Sequence, residues 1–300
     1  MDTPRDPEEL GASATPVRAE LPPRTSLGAV HLTVSDLERS LAYYDRAVGL
    51  RLIERGDGAA SLGTGETVLL VLVEEPGAQR AAGYTGLFHF ALLVPERTDL
   101  ATWLAHAARD RVPLTGLSDH FVSEALYLDD PDGHGIEIYW DRPREVWEGQ
   151  VAARMTTLPL DTDSLLGELD DPRSAPFDGL ATGTVMGHVH LKVADIPRTL
   201  AFYRDVLGFG LMAQLGRQAV FLAAGGYHHH VGANTWQSRA AAPPPPGTAA
   251  LRHATVVLPD SGERDIVLER LERHGHSPLQ TSAGPAVRDP SGNTLLLVTA

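Results

Sequence analysis

Cysteine is the most informative absence in this chain, because none of its 300 residues is a cysteine. Disulfide bonds, thiolate-bound metals and thiol nucleophiles are therefore excluded. A metal site here has to be built from histidine and oxygen ligands. The chain contains 13 histidines that could serve this purpose.

Two further absences restrict the partners. No apolar run reaches the roughly 18–20 residues of a membrane-spanning helix, and residues 1–26 are charged and proline-rich, without the apolar core of a signal peptide. We therefore expect a disordered N-terminal tail at 1–26, no membrane partner and a cytoplasmic location. The formal net charge of −14 comes without a clustered basic face, which argues against nucleic acid as a partner.

The chain does contain an internal duplication. The run VSDLERSLAYY at residues 34–44 returns as VADIPRTLAFY at residues 193–203. The offset is 159 residues, both between His31 and His190 (190 − 31) and between Asp130 and Asp289 (289 − 130). The two halves of the chain are therefore copies of each other.

Each half divides again into two similar modules. An alternating apolar strand opens a module, an amphipathic helix follows, and further strands complete it. We predict an α+β fold of four βαβββ modules, at about residues 27–75, 86–141, 186–236 and 250–299. Two domains, 27–141 and 184–300, are expected on either side of a linker at 142–183 that is rich in Pro, Asp, Gly and Thr.

Three strand-like apolar stretches carry residues that bind metals. Residues 87–94 contain His89, residues 188–193 contain His190 beside His188, and residues 136–140 contain Glu137. A single histidine or glutamate in a strand is usually a satisfied core residue. Two histidines and one carboxylate in matching positions of a repeated unit indicate the ligand set of a non-haem Fe(II) centre with open positions.

These motifs resemble the vicinal-oxygen-chelate superfamily of glyoxalases, bleomycin-resistance proteins and dioxygenases. The resemblance rests on the strand–Asp–helix–Tyr–Gly module, the Asp130-Pro131 turn before the glutamate-bearing strand, and the fourfold repetition. Within the superfamily the chain resembles the type I extradiol dioxygenases of the bacterial catechol-2,3-dioxygenase branch. Tyr127 precedes Glu137 by ten residues (137 − 127), and residues 226–236 are similar to the double-histidine strand of that branch. The resemblance implies that pairs of modules form two half-barrel domains.

Two pairings of the modules are open, and each predicts a different ligand set. Pairing the first module with the second gives His31, His89 and Glu137, whereas pairing the second with the third gives His89, Glu137 and His190. We favour the second set, because it gathers every family-like residue into one pocket. The fourth module has Leu296 where the aligned copy has Glu137, so it cannot supply a carboxylate of its own.

Proton transfer beside the metal would fall to a histidine, whose pKa suits neutral pH. We expect His230 to be this acid–base residue. Strand alternation places His228 on the same face and His229 on the opposite face, so His229 takes the role if the register differs by one residue. The resemblance also implies that Tyr127 donates a hydrogen bond to the substrate and that His120 lies in the pocket.

The resemblance implies a reaction as well. We expect Fe(II), with Mn(II) as the alternative, and cleavage of catechol or a substituted catechol by O2 next to the diol carbons, giving a 2-hydroxymuconic semialdehyde. Assembly into a homo-oligomer is a further expectation. Two rival functions share the fold: a glyoxalase-type metal-dependent isomerase, and a metal-free ligand-binding protein of the bleomycin-resistance kind.

Overall fold

The computed structural model of the protein describes residues 20–300. The disordered tail expected at 1–26 therefore lies outside the described residues as far as residue 19. The chain is packed from residue 21 onward: the Leu21 side chain is buried, and its backbone N–H donates a 2.8 Å hydrogen bond to Gly208 O.

Each predicted module is a strand, a helix and three further strands. The first comprises β1 (Ser26–Val34), α1 (Leu37–Tyr43) with a π-helical end (Tyr44–Val48), β2 (Arg51–Gly56), β3 (Ala59–Thr64) and β4 (Thr67–Glu74). After the short β5 (Gln79–Arg80), the second comprises β6 (Gly86–Leu93), α2 (Arg97–Asp110), β7 (Gly116–Asp119), β8 (Ser123–Asp129) and β9 (Gly135–Asp141).

The second half repeats this order after a connecting segment. The connection contains α3 (Arg144–Trp147), α4 (Val151–Arg154), β10 (Leu158–Pro159) and α5 (Thr162–Leu166). The third module comprises β11 (Val185–Lys192), α6 (Ile196–Leu200) with a π-helical end (Ala201–Leu207), β12 (Gly210–Leu215), β13 (Ala219–Ala223) and β14 (Val231–Asn234). After β15 (Thr248–Ala249), the fourth comprises β16 (Leu251–Leu258), α7 (Ser261–Arg273), β17 (Leu279–Thr281), β18 (Gly284–Arg288) and β19 (Thr294–Thr299).

Three of the four module helices begin after an aspartate that caps them. Asp36, Asp195 and Asp260 each accept a hydrogen bond from the backbone N–H three residues on, which satisfies a helix N-terminal donor. The equivalent helices of the first and third modules end at Gly49 and Gly208, with φ of 91° and 95°. Glycine reaches this left-handed backbone conformation without the clash that a Cβ would cause.

The strands form two large sheets, and each sheet takes one module from each half of the chain. The eight-stranded sheet has the order β17-β18-β19-β16-β1-β4-β3-β2, and the nine-stranded sheet has the order β10-β7-β8-β9-β6-β11-β14-β13-β12. The second module therefore pairs with the third, along the antiparallel seam of β6 and β11. This confirms the favoured pairing, and residues 27–141 and 184–300 each contribute strands to both sheets.

One extended apolar core connects the two sheets, and equivalent polar contacts cross it. Tyr44 on the first module donates a 3.0 Å hydrogen bond to Asp130 on the second, and Tyr203 on the third donates a 3.3 Å hydrogen bond to Asp289 on the fourth. Both aspartates also accept backbone N–H groups of their own turns. The duplication therefore extends to individual hydrogen bonds.

The predicted linker packs on the nine-stranded sheet. β10 pairs with β7 at its edge, and α5 contains the buried Leu165. The longest helix among residues 20–300 is α2, with 14 residues, and no helix in this part of the chain has the length and apolarity needed to cross a membrane.

Candidate metal centre

The centre of the nine-stranded sheet brings two histidines and one glutamate together. Ala91 on β6 pairs with His188 on β11 on one side and with Glu137 on β9 on the other. Residues directly opposite each other, and residues two apart along a strand, share a face of the sheet. His89 therefore lies on the same face as this row, and His89, Glu137 and His188 all line one cavity of about 760 Å³.

The three side chains are in direct contact. His89 Nε2 lies 2.9 Å from Glu137 Oε2, and His188 Nε2 lies 3.0 Å from the same oxygen. One donor atom from each of the three residues lies within 4.8 Å of the other two. All three side chains are buried, with at most 7% of the residue exposed. Such a small, buried and converging set of nitrogen and oxygen donors is the arrangement that a divalent metal requires.

The protonation states suit metal binding. Burial by itself would raise the pKa of Glu137, but its contact and hydrogen bond with His188, and then its contact with His89, outweigh burial and hold that pKa well below its usual range. Burial lowers the pKa of His188, against the opposing attraction of Glu137. At neutral pH the carboxylate is therefore ionised and the His188 imidazole is neutral, as metal ligands must be.

The hydrogen-bond inventory provides a separate test of whether a metal fits. Among residues 20–300, no group hydrogen-bonds His89 Nε2, although this atom is buried and faces Glu137. The 2.9 Å contact of His89 Nε2 with Glu137 is short enough for a hydrogen bond but lacks the direction of one. Buried polar atoms normally find a partner, so the residues present fit a metal ion held by His89, Glu137 and His188.

His190 is the predicted ligand that does not join this group. Its ring centroid is 5.0 Å from that of His89 and it lines the cavity, but His188 and not His190 contacts Glu137. Its partner across the seam is His89, two residues along from the Ala91 row. Its Nε2 is buried and has no hydrogen bond from the described part of the chain.

A spacing in the sequence could have identified His188. Counted back from the residue that caps the following helix, His89 lies seven residues before Glu96 (96 − 89), and His188 lies seven residues before Asp195 (195 − 188). His190 and His31 both lie five residues before their caps (195 − 190 and 36 − 31). The 159-residue repeat aligns His190 with His31, so it selects His190 and not His188 for comparison with His89.

The triple-histidine segment, residues 228–230, lies in a turn, and this changes which histidine faces the cavity. β14 begins only at Val231, after positive-φ residues Gly225 and Gly226, so strand alternation does not apply to residues 228–230. His229 lines the cavity, and its ring centroid is 4.1 Å from that of His188. His230 does not line the cavity, because its Nδ1 accepts a 3.1 Å hydrogen bond from Ala224 N–H on the other side of the turn.

His120 and Tyr127 form a connected pair at the cavity wall. His120 Nε2 lies 2.7 Å from Tyr127 Oη, and His120 Nδ1 lies 2.7 Å from the backbone oxygen of Thr156 in the connecting segment. Since a carbonyl only accepts, His120 Nδ1 carries a proton. Burial, and then the nearby Glu137, raise the pKa of Tyr127 well above its usual value, so its hydroxyl stays protonated.

Among the described residues, the eight-stranded sheet has no comparable group at the equivalent position. His31 and His253 pair across β1 and β16, and their rings stack with centroids 3.9 Å apart. Burial, followed by the neighbouring His253 and Arg252, lowers the pKa of His31 to about 4. The residue at the position of Glu137 is Leu296, whose side chain cannot bind a metal.

Comparisons with known proteins identify the family of the chain. The family model of the Glyoxalase/Bleomycin resistance protein/Dioxygenase superfamily matches residues 26–138 and 185–297. A catechol-2,3-dioxygenase from Bacillus subtilis (strain 168) is 42% identical over 274 residues, which cover 89% of this chain and 94% of the relative. The resemblance to the superfamily and to its catechol-2,3-dioxygenase branch is therefore confirmed.

Solved structures support the fold alone. Glyoxalase I from Zea mays has a TM-score of 0.57 at 16% identity, covering 92% of each chain. The cppA protein from Streptococcus pneumoniae TIGR4 has a TM-score of 0.54 at 12% identity, covering 95% of this chain and all of the other. The predicted α+β fold of four modules in two half-barrels is confirmed, and the chain belongs to the glyoxalase/bleomycin resistance protein/dioxygenase superfamily.

Proposed function

We propose that this chain is a metal-dependent extradiol dioxygenase that opens the ring of catechol or a substituted catechol with O2. The observation that carries the proposal is the buried group of His89, Glu137 and His188 at the floor of a cavity. The relative at 42% identity, named for catechol 2,3-dioxygenation, supports the same reaction. The proposed ligands differ from those expected from the sequence in one residue, because His188 replaces His190.

Fe(II) is the proposed metal, and Mn(II) suits the same ligands. When bound, such an ion supplies the Lewis acidity and the redox capacity that bring an aromatic diol and O2 to one centre. Two neutral imidazoles and one carboxylate would neutralise only part of its charge and leave open positions for substrates. His89, Glu137 and His188 are thus the residues that hold the ion, and the surrounding side chains handle the substrate and its protons.

His229 is the proposed acid–base residue. It lines the cavity in contact with His188, so a diol bound at the centre would lie beside it. Burial, and then the neighbouring His188 and His228, lower the pKa of His229 well below its usual value. A neutral imidazole can accept the proton of a diol hydroxyl and return it later. His230, the residue favoured from the sequence, has its Nδ1 occupied by a backbone N–H outside the cavity.

Tyr127 and His120 are proposed to position the diol. The raised pKa of Tyr127 keeps a hydrogen on its hydroxyl, which a bound oxygen atom can accept in place of His120 Nε2. The bond from His120 to the Thr156 carbonyl fixes the ring that holds this hydroxyl. Hydrogen bonds from a preorganised hydroxyl orient a substrate at little entropic cost.

The cavity favours an aromatic substrate and leaves room for substituents. Its volume of about 760 Å³ lies within the roughly 300–1,000 Å³ of small-molecule sites. Phe88, Phe221 and Trp236 line it beside the metal-binding group, and Phe88 lies 5.4 Å from Trp236 between ring centroids. Aromatic walls suit a planar ring, which they can contact by its edge or its face.

The rival functions are less well supported by the same site. A glyoxalase-type isomerase of this superfamily would be expected to use two carboxylates, whereas the group found among residues 20–300 contains only Glu137. A metal-free binding protein would have no need for three converging buried donors, one of which, His89 Nε2, has no hydrogen-bond partner among residues 20–300. The donor set therefore favours the oxygenase.

Oxygen uptake on addition of catechol tests the proposal. The chain is loaded with Fe(II) without air, and O2 consumption is followed together with the absorbance of the ring-opened product. Glu137→Gln keeps the shape of the side chain but removes its charge, so we expect it to lose both bound iron and O2 uptake. Glu272→Gln, on the exposed face of α7, is the matched control and should keep both.

The outcome separates the three functions. Oxygen uptake with a ring-opened product in the parent and in Glu272→Gln, but not in Glu137→Gln, supports the dioxygenase. Tight iron binding without O2 uptake on any catechol tested would rule out the dioxygenase proposal. A chain that binds no divalent metal would point to the ligand-binding function instead.

A further inference from the structure

A chain of three side chains leads from the cavity wall through a fully buried histidine to a partly exposed aspartate. Asp141 Oδ1 lies 2.7 Å from His228 Nε2, and His228 Nδ1 lies 2.8 Å from Nδ1 of His229. His228 is fully buried, while His229 forms part of the cavity wall. The proposed acid–base residue is therefore connected through one histidine to a carboxylate.

The order of donors and acceptors along this chain is determined by its carboxylate end. An ionised carboxylate only accepts hydrogen bonds, so His228 Nε2 carries the proton that lies between them. In a neutral imidazole the other nitrogen is then bare, and His228 Nδ1 can only accept. Since His229 offers its own Nδ1 at this contact, that atom must be the donor. His229 Nε2 is consequently the bare nitrogen.

Asp141 is itself held in place. Its second carboxylate oxygen accepts a 2.7 Å hydrogen bond from the Tyr227 hydroxyl, which lies 2.8 Å from the hydroxyl of Tyr139. Glu137, Tyr139 and Asp141 are alternate residues of β9 and therefore share the cavity-facing side of the sheet. A single strand thus supplies both the proposed metal-binding carboxylate and the carboxylate that contacts His228.

The ring of His228 is also restrained by packing. Its centroid is 4.0 Å from that of Tyr227 and 5.6 Å from that of Trp147. Trp147 belongs to the buried cluster around Val122 and Phe221. With both nitrogens bonded and two aromatic rings packed against it, His228 cannot rotate without breaking several contacts. It is therefore suited to transmit the orientation of Asp141 to His229.

We propose that Asp141 and His228 are positioning residues that hold His229 in the tautomer with a hydrogen on Nδ1 and a bare Nε2. Histidine in water favours the opposite tautomer, with the hydrogen on Nε2. The hydrogen bonds of His228 and Asp141 therefore select a form that would otherwise be the minor one. This inference rests on the proposed function only for the purpose of the tautomer. That purpose is to provide a bare nitrogen that can accept the proton of a bound diol.

The tautomer can be measured without turnover. The full chain is labelled with ¹⁵N in its histidine rings and loaded with Zn(II), which is diamagnetic. Bare and protonated ring nitrogens have well-separated ¹⁵N shifts, and His229 is assigned by the loss of its signals in His229→Gln. We expect the parent to show His229 with a protonated Nδ1 and a bare Nε2.

Two variants remove the proposed control in different ways. Asp141→Asn replaces the obligatory acceptor by a group that can also donate, and His228→Phe keeps an aromatic ring but offers His229 no acceptor. We expect the Nε2–H form of His229 to become a major species in both variants. Asp110→Asn is the matched control, because it alters another histidine–carboxylate pair, with His106 at 3.2 Å, outside the cavity lining. It should leave the His229 signals unchanged.

The results that would overturn the proposal are specific. A parent chain with a hydrogen on His229 Nε2 would contradict it. So would an unchanged His229 tautomer in His228→Phe, provided that this variant unfolds as cooperatively as the parent. Should Asp141→Asn not fold, His228→Phe alone tests the proposal.

A kinetic measurement then tests the purpose of the arrangement. If the chain cleaves catechol, His228→Phe should lower kcat by about 10²–10⁴-fold, the usual contribution of a positioned acid–base group, with little change in KM or in bound iron. An unchanged kcat would overturn the catalytic purpose of the tautomer. If the parent cleaves no diol, the proposed function fails, while the NMR experiment still decides whether Asp141 and His228 control His229.

Discussion

At the scale of single residues, the proposed centre depends on a choice between two histidines of one strand. His188 and His190 both lie on β11, both are buried and both line the cavity. Only His188 contacts Glu137, at 3.0 Å. The side chains of the two residues lie on the same face of β11. Their roles differ because the pairing of β11 with β6, and of β6 with β9, places Glu137 in the row of His188 and not in the row of His190.

A metal titration of two matched variants tests this choice. We expect His188→Asn to weaken binding of Fe(II) or Zn(II) by more than the roughly 10–100-fold that loss of an outer hydrogen-bond partner costs. His190→Asn should retain the stoichiometry of the parent, because His190 lies outside the group of donors. The metal content is measured after dialysis against a competing chelator. Loss of metal in His190→Asn but not in His188→Asn would restore the ligand set expected from the sequence.

The sequence identifies most of the residues that the structure brings together here, and each one that it misses has a physical explanation. His89 and Glu137 stand out because polar residues are rare in strands that are otherwise apolar. His188 was passed over because the internal repeat relates His190 to His31, which belongs to the other sheet. Asp141 and His228 were not singled out as a pair because 87 residues separate them, and no local pattern marks such a contact.

His230 provides a test of protonation linked to folding. Burial, and then the nearby His228 and His188, lower its pKa from 6.5 to about 4. Between these values the unfolded chain binds a proton that the folded chain does not, so acidification from pH 6.5 towards pH 4 destabilises the fold. The shift corresponds to a loss of about 3 kcal/mol from this residue.

Urea unfolding of the metal-free chain measures this effect. His230→Asn keeps an acceptor for the Ala224 N–H but does not titrate in this range. We therefore expect the free energy of unfolding of the parent to fall more steeply between pH 6.5 and pH 4 than that of the variant. Parallel pH profiles for the two proteins would show that His230 takes up its proton equally well in the folded and unfolded chains.

At the scale of secondary-structure elements, the approach of the Tyr139 side chain of β9 to the backbone of β11 depends on a glycine. A Cβ added to Gly187 would lie 1.8 Å from the hydroxyl oxygen of Tyr139. Tyr139 in turn bonds Tyr227, which bonds Asp141. The absence of a side chain at Gly187 therefore allows the tyrosine hydroxyl to reach the network behind the cavity.

A double-mutant cycle tests this contact. We expect Gly187→Ala to destabilise the fold by about 1–3 kcal/mol, the usual range for an overpacked interior. Tyr139→Phe removes the oxygen, so Gly187→Ala should cost less in that background, with a coupling of at least about 0.5 kcal/mol. Gly56→Ala is the control, because the nearest atom to its added Cβ is 4.0 Å away. Independent effects of the two substitutions would contradict the proposed contact.

Two irregular segments show which elements the sequence could not predict in detail. The sequence predicts a strand over residues 226–236, yet the turn at Gly225 and Gly226 delays β14 to Val231. The linker was recognised from its composition, but composition does not indicate that Thr156 O would bond His120 or that Met155 would line the cavity. Regular elements follow from periodicity and capping residues, whereas these contacts depend on how the modules pack.

At the scale of the whole molecule, the duplicated halves are interleaved. In each large sheet an antiparallel strand pair, or seam, joins the two halves of the chain. The pair is β1 with β16 in one sheet and β6 with β11 in the other. The module order and the repeat were readable from the sequence. The partners of the modules were not determined by it, because the adjacent and the crossed pairing bury similar apolar strands.

The interleaving predicts that neither half folds without the other. Fragments 1–172 and 173–300 divide the chain in a segment outside the helices and strands. Each fragment supplies one of the two modules of each large sheet and lacks the other. Each would expose the seam strand that its missing partner covers, and long uncovered strand edges favour aggregation over folding. We expect either fragment alone to show no cooperative thermal transition and the co-expressed pair to recover one.

The control is a chain that folds intact and is then cut at a protease site inserted between Pro172 and the exposed Arg173. This nicked protein keeps both seams and should unfold cooperatively, because the cut removes only the covalent connection between halves that already share two sheets. Calorimetry of the two fragments, the co-expressed pair and the nicked protein distinguishes the arrangements. Cooperative unfolding of fragment 173–300 alone would contradict the prediction. It would mean that the third and fourth modules can pair with each other and fold without the first half of the chain.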